Sequence, residues 1–176
     1  MLDWLAVCTE SLVRYIRESA RTGIGGVFFS VNGAEVDTLT DEEFARFVKP
    51  FDLEALKAAQ SVGPLLVGHI HGKNLRMERI IDYPMPVLNW SHLHDNESLS
   101  AMRRRTGRCF IGGMDEIDTF QLTAREIFNS VRQAAEQSKG GGFMAGPGCA
   151  VPADIPPDLI HAPREAVESL RRKISN

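Results

Sequence analysis

Apolar residues recur along the chain in two alternating rhythms, a helical period and short unbroken runs. Over residues 4–21, Leu5, Cys8, Leu12, Ile16 and Ala20 fall on one face, while Arg14, Arg17 and Glu18 can face water. That pattern predicts an amphipathic helix, stopped by Gly23. The run from Ile24 to Val31 is β-branched and aromatic and is bounded by glycine, which predicts a buried strand. Thr40 followed three residues later by Glu43 forms a capping-box signature, and a helix is expected from there to Val48. Pro50 is expected to end it, with a second helix over residues 53–60. A second buried strand is predicted over residues 64–70, a short helix over 75–80 and a third strand over 86–90. A helix over 98–105 is stopped by Gly107, and a fourth strand follows over 108–112. Thr123 and Glu126 repeat the capping-box spacing and open a long helix that should end at the glycines 140–142. A fifth strand spans residues 143–145. The Pro-rich stretch 152–163 then leads to a last helix over 163–174, with Pro163 in its first turn.

Strands and helices thus alternate five times, the pattern of a parallel sheet with helical crossovers. No linker is long enough to divide the chain, so residues 1–176 read as one α/β domain. Composition agrees with a globular class: 43% of the residues are hydrophobic, enough for a sizeable core. The formal net charge is −3 with both signs interspersed, which argues against a nucleic-acid surface. The basic runs Arg103-Arg104-Arg105 and Arg171-Arg172-Lys173 read as solvated helix faces. Three widely spaced cysteines argue against a disulfide framework and for a reducing compartment. The N-terminus has no signal-peptide pattern and no apolar run approaches a membrane span, so a soluble cytoplasmic protein is expected.

The chemistry concentrates where the predicted strands end. In a parallel α/β sheet the strand C-termini share one edge, where ligands bind. The second strand ends His69-Ile70-His71-Gly72. Residues two apart on a strand point the same way, so these two imidazoles can share a metal. Taken alone, the pair fits equally well two histidines satisfied by their neighbours. Cys149, after Gly146-Pro147-Gly148 at the end of the fifth strand, could supply a thiolate. Two imidazoles and one thiolate suit a zinc ion that keeps its fourth position open. Cys8 and Cys109 read as core residues, and His161 as a surface residue of the Pro-rich tail. His92 and His94 read as polar loop residues, with a supporting role beside a metal or a substrate left open. The glycine pairs and triplets match neither phosphate-loop nor dinucleotide fingerprints.

Several segments, in order, resemble the uroporphyrinogen decarboxylase superfamily. They are Gly-Val-Phe-Phe-Ser at 26–30, Thr-Asp-Glu-Glu-Phe with Pro-Phe-Asp at 40–52, and His-Ile-His-Gly-Lys-Asn at 69–74. Tyr-Pro with Leu-Asn-Trp at 83–90, Ile-Gly-Gly-Met-Asp at 111–115 and the Gly-rich stretch 140–152 ending Gly-Cys-Ala-Val-Pro continue the series. The resemblance covers nearly the whole chain and implies the C-terminal portion of a (β/α)8 barrel, about five βα units. It implies one of two chemistries. One is metal-free decarboxylation of porphyrinogen acetate groups. The other is zinc-dependent methyl transfer between corrinoid proteins and thiols. The methyltransferases resemble one another in a His-x-Cys pair and a distant Cys that bind zinc. Here the pair is His69-x-His71, followed far downstream by Cys149, so the middle ligand is changed from thiolate to imidazole. The decarboxylase pattern matches at Ser30 and Asp115 but lacks its late histidine, since residues 146–148 are Gly-Pro-Gly. The resemblance therefore favours the metal-using branch, with His69, His71 and Cys149 as ligands and Ser30, Asn89 and Asp115 orienting substrate.

A complete barrel of this type takes roughly 250 residues, against 176 here. Five strands would leave two open sheet edges, which invite pairing. A homodimer, a higher oligomer or a partner chain that covers those edges is expected, with a corrinoid protein as a further possible partner. Two other outcomes stay open: a carboxy-lyase completed by a second chain, and a non-catalytic partial barrel that serves as a binding module.

Overall fold

The computed structural model describes residues 1–138 and 142–174. Five strands form one parallel sheet in the order β1-β2-β3-β4-β5: β1 Gly26–Val31, β2 Leu65–Ile70, β3 Val87–Trp90, β4 Cys109–Met114 and β5 Phe143–Pro147. The helices are α1 Leu2–Ala20, α2 Asp41–Phe47, α3 Lys49–Ala59, α4 Leu99–Thr106, α5 Ala124–Gln137 and α6 Pro157–Ile174. This is the expected α/β pattern of a partial (β/α)8 barrel. Among the described residues, no helix is long and apolar enough to cross a membrane. The chain packs as two compact units, Met1–Leu88 and Asn89–Asn176.

In the first unit, α1 and α3 pack together, and β1 runs parallel to β2 from Gly26↔Leu65 to Val31↔Ile70. Thr40 caps α2 through both arms of a capping box: its hydroxyl accepts from Glu43 N, and the Glu43 carboxylate accepts from Thr40 N. Pro50 does not terminate a helix. It sits in the first turn of α3, where its missing N–H is one that the helix leaves unpaired anyway. The face of α1 is also rotated from the expected one. Thr9, Val13 and Ile16 are buried, whereas Cys8 is exposed and is not a core residue. The short helix expected over 75–80 is a single 3-10 turn, Met77–Arg79. Arg79 is buried there. Its guanidinium donates to the carbonyls of Gly33, Glu35 and Leu39 and to the Asp41 carboxylate, which ties down the loop that leaves β1.

In the second unit, β4 runs parallel to β5, and α5 and α6 cover them. Met114, Ile127, Ile155, Leu159 and Ala162 form a buried cluster. Gly107 closes α4 in the left-handed conformation (φ 65°) that a Cβ would penalise, and its N–H donates to Arg103 O. The glycine run expected to end α5 lies, apart from Gly142, outside the described residues. The last helix starts at Pro157, six residues earlier than expected, so Pro163 lies inside it. A proline in either place presets φ near −65°, and a local pattern alone does not separate the two starts.

Candidate metal and substrate site

In the first unit the chemistry gathers at the C-terminal end of β2. His69 is buried, at 8% exposure, and His71 one residue past the strand is exposed. His71 N–H donates to Val31 O at 3.0 Å, so the β1–β2 ladder is still paired at that point. Alternation along the strand puts both rings on one face, and their centroids are 6.0 Å apart. Two rings that share a metal at about 2.0–2.1 Å per bond have centroids within roughly 6.5 Å of each other. The observed separation fits that limit. Ser30 is the register partner of His69 and is exposed. Phe28, two residues earlier on the same face, stacks on the His69 ring at 5.7 Å and 24°. Phe28 was not singled out by the sequence reading, although its even spacing from Ser30 was the available signal. An aromatic ring that stays 60% exposed on a strand beside a histidine is an apolar contact surface for a ligand.

In the second unit the loops after β3, β4 and β5 carry the polar groups. Asn89 on β3 is buried, and its side-chain amide donates to Ile111 O at 3.1 Å and Pro147 O at 2.9 Å. The expected substrate contact at Asn89 is thus held by backbone carbonyls on β4 and β5. Asp115, just past β4, bonds His94 Nε2 at 2.9 Å and accepts from the N–H groups of Ile117 and Asp118. Burial opposes ionisation of Asp115, but those hydrogen bonds prevail and hold its carboxyl below the usual range. The same bond to Asp115 raises the His94 pKa. His92 differs. Its Nε2 accepts from Gly113 N at 2.9 Å, and burial pushes its pKa down to about 4, so it is a neutral acceptor. These two histidines are therefore built into their loops rather than displayed on them.

Cys149 is half-buried, two residues beyond β5. Glu116 and Ser91, which the sequence reading passed over, are buried nearby. Glu116 accepts from the Ser91 hydroxyl through one oxygen and from Gly148 N, at 3.0 Å, through the other. No local motif marks this pair, because its members lie 25 residues apart. Among the described residues of the second unit, His94, Asp115 and Asp118 form a group of side chains of the kind that could hold a cation. That group is oxygen-rich, whereas the two imidazoles of the first unit offer nitrogen donors of a type that zinc takes.

A family model described as uroporphyrinogen decarboxylase (URO-D) matches residues 1–170. Among solved structures, a methyltransferase from Methanosarcina mazei aligns with a TM-score of 0.76 and 22% sequence identity. The alignment covers 93% of this chain and 47% of that one, so the chain spans about half the length of that structure. At this identity the likeness is one of fold. No curated protein matches the sequence.

Proposed function

The chain belongs to the uroporphyrinogen decarboxylase family, and on that premise we propose that it serves the family's metal-using chemistry, methyl transfer to a thiol. In this reading His69, His71 and Cys149 hold one zinc ion. Two histidines at the end of β2, with rings 6.0 Å apart on one face, are the observation that carries it. A zinc ion held by two imidazoles and a thiolate keeps one open position, where a substrate thiol would lose its proton near neutral pH.

The remaining work falls to the chain's own side chains. Phe28 covers one side of the His69 ring, which limits the approach of water from that side. Ser30 offers a hydroxyl on the same face for a polar group of the substrate. Asp115 keeps its negative charge, so it can orient a cationic or hydrogen-bonding part of a substrate. In the transfer, the sulfur–methyl bond forms as the bond from the methyl carbon to its donor breaks, and the electron pair stays with the donor. A corrinoid carried on a partner protein is such a donor. Among the described residues β1 and β5 stand at the two ends of the strand order, which supports a homodimer, a higher oligomer or a partner chain that pairs with them.

A second reading is supported by the family description itself and by Ser30 and Asp115: carboxy-lyase chemistry on a polycarboxylate tetrapyrrole, completed by another chain. Metal analysis separates the two. Purified protein is expected to carry about one zinc per chain, and the double variant His69→Ala, Cys149→Ala should lose it. Zinc-free protein that binds a porphyrinogen in calorimetry, or equal zinc in the double variant, would overturn the methyl-transfer reading.

A further inference from the structure

We infer that Glu116 is a positioning residue for Cys149: from inside the fold it fixes the loop that carries the thiol, so that the sulfur is preset before any ligand arrives. The inference rests on the zinc reading for its consequence, but its geometry lies wholly within residues 89–176.

The two residues before Cys149 are each held by a buried side chain from another strand end. Asn89, on β3, donates to the carbonyl of Pro147 at 2.9 Å. Glu116, two residues past β4, accepts from the N–H of Gly148 at 3.0 Å. Its other oxygen accepts from the Ser91 hydroxyl, and the Ser91 carbonyl accepts in turn from the Asn96 side chain at 3.0 Å. Both Glu116 and Ser91 are buried, at 6% and 8% exposure. A carboxylate removed from water to bind one backbone N–H and one hydroxyl is costly unless both bonds are made, so the arrangement favours a single loop conformation.

Gly148 shows how closely the loop is seated. A Cβ there would lie 2.7 Å from Ser91 Cα and 2.8 Å from both Trp90 O and Glu116 Oε2. Two of those atoms are backbone, which cannot move aside cheaply. Pro147, bonded through its carbonyl, adds a fixed φ on the other side. The sulfur one residue further on therefore inherits its place from β3 and β4. Residues that orient a metal ligand in this way change metal affinity by about 10–100-fold when removed.

The test uses the full chain and Co²⁺ as the probe, with the near-ultraviolet thiolate-to-cobalt band reporting the sulfur. Glu116→Ala, which leaves Gly148 N–H without its acceptor, should weaken Co²⁺ binding about 10–100-fold and diminish the band. Glu116→Gln should rescue both, because its carbonyl can accept from Gly148 while its amide donates to Ser91. Ser91→Ala removes one anchor and should shift affinity in the same direction by less, which keeps the test open if Glu116→Ala does not fold. In metal-free protein, alkylation of Cys149 resolved by peptide mass should be severalfold faster in Glu116→Ala and Ser91→Ala than in the unaltered chain. Unchanged affinity, band and alkylation rate in both variants would overturn the inference. Absence of the band in the unaltered protein would overturn the zinc reading instead, and the alkylation rates would still decide the role of Glu116.

Discussion

At the scale of single residues, burial decides which polar groups keep their ordinary chemistry. Asp52 on α3 accepts from the Tyr83 hydroxyl at 3.0 Å, and Tyr83 is fully buried. Burial raises the Asp52 pKa to about 6, and the tyrosine hydrogen bond only partly offsets it. The folded pKa thus lies above the unfolded one. Above pH 6 the carboxylate is ionised in both states, and the fold bears the cost of its burial. As pH falls through about 6 the folded state takes up the proton first, and stability rises until the unfolded pKa is reached. Asp52→Asn should therefore be more stable than the unaltered chain at pH 8, by about 1–3 kcal/mol, and the difference should vanish near pH 4. Urea unfolding at the two pH values measures it; no gain at pH 8 would contradict this account. His92 shows the same physics on a base: buried and accepting from Gly113 N–H, it stays neutral where an exposed histidine would titrate.

At the scale of elements, the capping signals worked because they are local. Thr123 and Glu126 bond each other's backbone N–H at the start of α5, at 3.3 and 2.7 Å, as their spacing predicts. Thr123→Ala should cost about 1 kcal/mol, read as a lowered unfolding midpoint at unchanged m-value; a midpoint equal to that of the unaltered chain would show that the cap contributes nothing. The prolines were less readable. Pro50 opens α3 and Pro163 sits inside α6, whereas their sequence context predicted an ending and a beginning. A proline constrains φ equally in a first turn, in a turn between helices and in a helix interior. Which of these applies depends on whether tertiary packing, here the buried Leu159 and Ala162 against Met114 and Ile127, outweighs a lost backbone hydrogen bond.

At the scale of the whole molecule, five parallel strands in sequential order follow from alternating helix and strand, because consecutive elements joined by short connections tend to lie side by side. Among the described residues, β1 and β5 stand at the two ends of this order. Pairing at those ends should make the protein associate as its concentration rises. Sedimentation velocity across a hundredfold concentration range is expected to show dimers or larger species; a single monomer boundary throughout would remove the proposal of partner-covered edges. Sequential order also explains why the candidate residues come from distant stretches of chain. The histidines at 69 and 71, the carboxylates at 115 and 116 and the thiol at 149 are all loop or strand-end residues, each set at or just past the end of a different strand.

The sequence by itself determined the order and type of the elements, the capping boxes and the family, since hydrophobic period, caps and motif order are properties of neighbours along the chain. It also singled out His69, His71 and Cys149, because uncommon donors stood where strands end. Tertiary structure alone decided which face of α1 is buried, leaving Cys8 in solvent and Val13 inside. It alone turned Asn89 toward two backbone carbonyls, stacked Phe28 on His69 and tied Glu116 to Ser91 and Gly148. Those pairings join residues 22 to 58 positions apart. They arise because burial forces each polar group to find a partner, and the partner is chosen by the packing of strands rather than by any local pattern.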